Sequence, residues 1–287
     1  MHRTRFHSTF ALFVALMVAA FAVACDSSKS GSDDGKSGGK KASADGDPPK
    51  KIDFKEAAKE SEGAIESVIP SPDTIFMAMS TLGKPDWKGV IKAVEKEEFD
   101  SETQTALATG IHLAQFFVHV HTKDKDEASK SIDALIRSAK QLKVDVDKKD
   151  EKEVRENIKE GKWDDLRYSL STLNGRIQDQ LIEDKKRPDL VMLISIGAWL
   201  EGAFVASKIL SEGYSKKSAV VLQQGALVKD VKTSVKNTLK ADDEYTKLIS
   251  KSLDKLGKIM KGDDPPSKED VGKIFEVASS ARADILK

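Results

Sequence analysis

The chain has 287 residues, 39% hydrophobic and 33% charged, which is enough apolar material for a packed core and too much for a disordered chain. Its 47 basic residues are matched by 47 acidic ones, so the net positive field that general nucleic-acid binding requires is missing. A single cysteine excludes an intrachain disulfide framework, a cysteine-based zinc site and a Cys-x-x-Cys redox pair.

In chain order, His2, Arg3, Arg5 and His7 give a basic start, and an unbroken apolar run follows from Phe10 to Ala24. A helical span of a bilayer needs about 20 apolar residues, so this shorter run with small residues at its end reads as an export signal, residues 1–24. It ends in Ala22-Val23-Ala24-Cys25. Small residues before a cysteine at this place resemble the lipobox of bacterial lipoproteins, with Ala22 where Leu is usual. The resemblance implies that Cys25 is the lipidated first residue of the mature chain, carrying fatty acyl groups such as palmitate. Asp26 is similar to the inner-membrane retention signal of enteric lipoproteins.

Residues 26–51 are almost entirely Ser, Gly, Asp and Lys, closed by Pro48-Pro49 and two lysines. Such a segment buries too little to offset its ordering entropy and reads as a flexible linker with a reach of roughly 25 to 30 Å. Beyond it, residues 52–287 read as an all-helical domain. No proline falls between Pro85 and Pro188, and apolar residues recur three and four apart in segments rich in Ala, Leu, Lys and Glu. Helices are expected over about 53–68, 72–82, 86–97, 101–121, 126–143, 150–160, 163–185, 189–211, 215–239, 243–261 and 268–286. Pro72 suits a first helical turn, Gly83 a helix end before Pro85, and Ser267 with Asp270 a cap after Pro265-Pro266.

One pattern occurs twice. Gly110-x-x-Leu113-x-x-x-Phe117-Val118 returns as Gly197-x-x-Leu200-x-x-x-Phe204-Val205, and the same offset aligns Leu135 with Leu222 and Ala139 with Ala226. This favours an internal duplication, two related antiparallel helical hairpins packed by pseudo-symmetry in one bundle or array. The order of Ile69-Pro70-Ser71-Pro72, Leu82-Gly83, the Leu107–Phe117 segment and Gly197-Ala198-Trp199-Leu200-Glu201 resembles a group of all-helical lipoproteins of bacterial envelopes. That resemblance implies fold and location and carries no activity.

The segment from Leu190 to Leu210 is the most apolar of the body, and on a helical wheel Glu201 falls among Leu190, Ile194, Gly197, Phe204 and Val205. A carboxylate in an apolar stripe is expected to be buried and ion-paired, with Lys208 or Arg176 as candidate partners. Its equivalent in the first copy is Ala114, and the counterpart of Lys208 is His121. Gly197 and Gly202 flank Trp199 and predict close helix approach, with a groove beside Trp199 as the alternative. His112, His119 and His121 lack the three- or four-residue spacing of a helical metal site, and His112 and His119 are expected at the surface beside Gln115. No metal or cofactor is expected.

No nucleophile elbow, phosphate-binding glycine loop or His-Glu-x-x-His occurs. The residues therefore favour binding or scaffolding over catalysis: an exported, lipid-anchored domain meeting an envelope protein or a small molecule, and no nucleic acid. One alternative is a small-molecule pocket lined by Trp199, Glu201 and Phe117. Another is a hydrolase or metal enzyme pairing Glu201 with a histidine.

Overall fold

The computed structural model describes residues 69–82 and 98–287 and, between them, residues 86, 87, 89–91, 94 and 96. The expected export signal, Cys25, the linker and the expected helix 53–68 lie outside the described residues. What is described is all helical, with no strand among those residues: α1 (Pro72–Leu82), α2 (Glu102–Thr122), α3 (Lys125–Gln141), α4 (Lys148–Glu160), α5 (Trp163–Asp179), α6 (Pro188–Glu212), α7 (Lys216–Ala219), α8 (Gly225–Thr238), α9 (Glu244–Ile259) and α10 (Lys268–Ile285). Local chemistry sets many of the starts. The side chains of Ser101, Asp124, Asp147 and Asp243 each accept from a backbone N–H of the first turn that follows, and Ser267 forms a reciprocal capping box with Asp270.

Two expected helices are not formed as read. Over 86–97 the described residues are non-helical, because tertiary contacts take the groups a helix would use. Gly89 has φ +68°, Lys208 donates to the carbonyl of Val90 at 2.6 Å, and the N–H of Val94 donates to Gln115 Oε1 at 3.3 Å. The expected helix 215–239 breaks into α7, a 3₁₀ turn at Val220–Leu222, and α8. Gln224 interrupts it: its Oε1 accepts from Trp199 Nε1 at 2.6 Å while its Nε2 donates to the carbonyl of Val221 at 2.6 Å. The segment 163–185 is helical throughout, but it finishes in a π-helical turn, Gln180–Asp184.

α2 and α6 are the centre of the array, and their mutual contact is the most extensive in the fold. α3 packs on the outside of α2, α10 on α6, and α1 on both, while α4 pairs with α5 and α8 with α9. α6 is long and apolar enough to cross a membrane by length and composition, yet nearly all of it is buried inside the protein, as befits a helix apolar on every side at the core.

The crossing of α2 and α6 is made by the repeated glycines. A β-carbon at Gly110 would collide with the carbonyl oxygen of Ile194, and one at Gly197 would collide with that of Leu107. Each glycine thus meets the carbonyl three residues before the other glycine, so the two contacts exchange under the offset that aligns the two patterns. Backbone touches backbone here, which only glycine allows. The hairpin part of the duplication holds for α2 and α3 alone. α6 takes α10 as its main neighbour apart from α2, and its sequence successor is the broken α7–α8 segment.

Candidate functional site

One turn beyond its glycine, α6 turns Glu201 into the interior, where it is fully buried. Its Oε2 accepts from Nε of Arg282 on α10 at 2.7 Å, and its Oε1 accepts from Nε2 of Gln115 on α2 at 3.0 Å. Both oxygens are therefore engaged. Burial pushes the Glu201 carboxyl above its ordinary range, while the Arg282 charge and the Gln115 amide oppose that shift. Arg282 closes the outer end, its guanidinium lying 5.1 Å from the Phe204 ring centroid, and Phe204 stacks on Phe275 of α10 at 5.4 Å.

The partner of Glu201 is thus neither Lys208 nor Arg176. Lys208 reaches the Val90 carbonyl, and Arg176 bridges Asp150 and Asp147 at the start of α4. Arg282 was the residue that sequence reading missed. The signal for it was there: it stands beside the apolar stripe of Ile274, Ala278, Ala281 and Ile285, the complement of an acid placed in the stripe of α6.

The histidines also differ from expectation. His112 and His119 are buried, not superficial, because α2 is covered by α3 on the face they occupy. Burial, reinforced by the nearby charges of Arg137 and Arg282, pushes His112 down to about 3, so its ring is neutral at ordinary pH. The Gln115 side chain opposes that shift, and neither ring nitrogen of His112 has a partner within hydrogen-bond geometry among the described residues. Burial likewise lowers His119, against the pull of Glu127 and Asp124. His121 stacks on Trp87 at 5.1 Å, with its Nε2 3.6 Å from Asp73, beyond hydrogen-bond distance. No group of three metal-ligating side chains occurs among the described residues.

Trp199, Glu201 and Phe117 face different neighbours. Trp199 is buried against Gln224, and Glu201 faces Gln115 and Arg282. Phe117 lines a cavity of about 310 Å³ whose wall is Leu113 and Phe117 from α2, Ser171, Asn174 and Gln178 from α5, Ile194, Ser195 and Ala198 from α6, and the chain from Ile69 to Asp73. Its lining mixes apolar surface with neutral hydrogen-bonding side chains, and the carboxyl group among its described wall residues, Asp73, accepts through both oxygens from Arg167 at 2.8 and 2.9 Å.

As chemistry, the Glu201 junction is a satisfied ion pair. A general base needs a free lone pair within reach of substrate, and a carboxylate–histidine couple needs a hydrogen bond between the two. Glu201 bonds to an amide and a guanidinium instead. Comparison with known proteins adds no relative: the chain matches no family model, no curated protein and no solved structure.

Proposed function

We propose that this protein is an exported lipoprotein, held at a bacterial envelope membrane through acyl chains on Cys25, whose helical domain works by binding a partner rather than by catalysis. The observation that carries the reading is the placement of the sole cysteine, directly after an uninterrupted fifteen-residue apolar run and directly before a polar linker. One acyl chain gives only marginal membrane binding, so stable anchoring calls for more than one on that residue. The linker sets the domain off the surface, and the closed Glu201 pair leaves binding as the simpler work for it. The cavity at Phe117 favours a second form of the same reading, in which the partner is a small molecule, since its volume lies at the lower end of the usual range for such sites.

Two measurements test this. Mass spectrometry of the processed N-terminus should find an acylated Cys25, and a Cys25→Ser variant should leave the membrane fraction. An unmodified thiol, or a variant that stays with membranes, overturns the anchor. Crosslinking and native mass spectrometry of protein taken from its own membranes then separate the two forms: a captured envelope protein supports scaffolding, and a retained small molecule supports the cavity.

A further inference from the structure

We propose that the groove between α8 and α9 binds an acidic small molecule, a phosphate group carried on an apolar body. The groove measures about 660 Å³, within the usual range for ligand sites. Its floor is apolar, with Val228, Leu253 and Met260 buried beneath it, and its rim carries Lys229 and Lys232 from α8, Lys258 from the last turn of α9 and Lys261 just beyond it. Against these four cations stand Asp254 and Asp263. Asp254 pairs with Lys232, which leaves Lys229, Lys258 and Lys261 with no acidic partner among the described residues.

Helix chemistry alone accounts for only part of this arrangement. Lys258 lies in the last turn of α9, where a cation complements the helix dipole. Lys229 and Lys232 lie beyond the first turn of α8, out of reach of its dipole, so the dipole does not account for them. Lys229 and Lys232 place like charges three residues apart on α8, a repulsion that Asp254 offsets in part through Lys232 and that a bound anion relieves further. The start of α8 opens into the same groove, since Gly225 and Ala226 line it, and Gln224 supplies no side-chain cap to the first N–H groups. The close approach of the two helices is built in. A β-carbon at Gly225 would strike the carbonyl of Met260, and Gly257 lies against Val228.

The inference stands independently of Cys25. Isothermal titration calorimetry on the full chain tests it with three probes: phenyl phosphate as a free phosphate ester, dihexanoylphosphatidylglycerol as an anionic lipid headgroup, and dihexanoylphosphatidylcholine as the zwitterionic control. At least one anionic probe should bind with Kd of about 1 mM or tighter, well above the control lipid. Which of the two binds identifies the source of the ligand. Lys229→Gln with Lys258→Gln should weaken it about tenfold or more, the loss of a charge-assisted hydrogen bond. Lys251→Gln with Lys255→Gln removes the same charge from α9 outside the groove and should leave the affinity within about twofold, as distance and solvent screening dictate. Failure of both anionic probes to exceed phosphatidylcholine overturns the proposal. So does an equal loss in the two double variants, which would make the binding a matter of net charge.

Discussion

α2 and α6 carry the same pattern and meet at the same glycine, yet each is completed differently. On α2 the position after Leu113 is Ala114, fully buried, and the helix is closed by its own sequence neighbour, α3. On α6 the equivalent position is Glu201, and the helix is closed by α10, eighty-one residues away in sequence, whose Arg282 answers that carboxylate. At the crossing the two copies keep the same residue because nothing but glycine fits there. Where they diverge, one buried charge selects a different neighbour. A buried ion pair adds little net stability, but it strongly disfavours any packing that leaves one partner alone.

The largest effect should come from breaking that selection. Arg282→Ala leaves Glu201 buried and ionised without its cation, which costs about 3 to 5 kcal/mol at neutral pH. The Glu201 carboxyl already sits above its ordinary range through burial, so the folded state holds its proton more tightly than the unfolded state. Stability from this group is therefore present at low pH and lost as pH rises through the folded-state pKa. Losing Arg282 moves that pKa further up, so the deficit of the variant in urea unfolding should shrink as the solution is made mildly acidic. A deficit independent of pH would mean that packing against Phe204, not charge, is what Arg282 supplies. Next in size, Gly110→Ala and Gly197→Ala each force the two backbones apart and should cost about 3 kcal/mol. Because the two glycines meet exchanged carbonyls, their losses should be close to equal. A marked inequality would mean that the crossing is symmetric in contact but not in its freedom to relax.

Much of this array was legible in the sequence, for reasons particular to it. Caps such as Ser267 with Asp270 and the three- and four-residue spacing act within one turn, so the long helices could be placed to within a few residues. Gly110 and Gly197 stood out because each interrupts a strongly helical segment at the same place in a repeated pattern. Glu201 stood out because it lies in an apolar stripe. Its partner does not, since Lys208 lies on the same helix face whereas Arg282 comes from a distant helix whose packing no local rule predicts. The same blindness to distant contacts hid the break at Gln224, which has good helical neighbours but is drawn out by Trp199, and the non-helical stretch around Gly89, which is tied down on α2 and α6. The polar neighbours of His112 on the wheel suggest a surface position, yet Gln115 beside it is itself buried as a donor to Glu201.

The smallest effect is the one that reads the two copies against each other. Trp199 of α6 occupies the position of His112 in α2, and Gln224 occupies that of Arg137. In the second copy the pair is bonded, Trp199 Nε1 to Gln224 Oε1 at 2.6 Å, with both residues buried. In the first copy Arg137 lies near His112 as a repelling charge, and among the described residues both ring nitrogens of His112 and Nε of Arg137 are without a partner in hydrogen-bond geometry. Removing one partner of a satisfied buried bond costs about 1 to 3 kcal/mol, whereas replacing a group that bonds to nothing costs little beyond its change in shape. Gln224→Leu should therefore destabilise by about 1 to 2 kcal/mol, and His112→Phe by less than about 1 kcal/mol, in the same urea titration. The pH dependence separates them further. With the folded His112 lowered to about 3, the unfolded chain binds its proton first as pH falls from the ordinary histidine value, so this residue erodes stability across that window. His112→Phe should flatten the acid limb there, and Gln224→Leu should leave it unchanged. An acid limb untouched by His112→Phe would mean that the ring takes up its proton in the folded state, and with it that the first copy carries a solvated pair where the second carries a dry one.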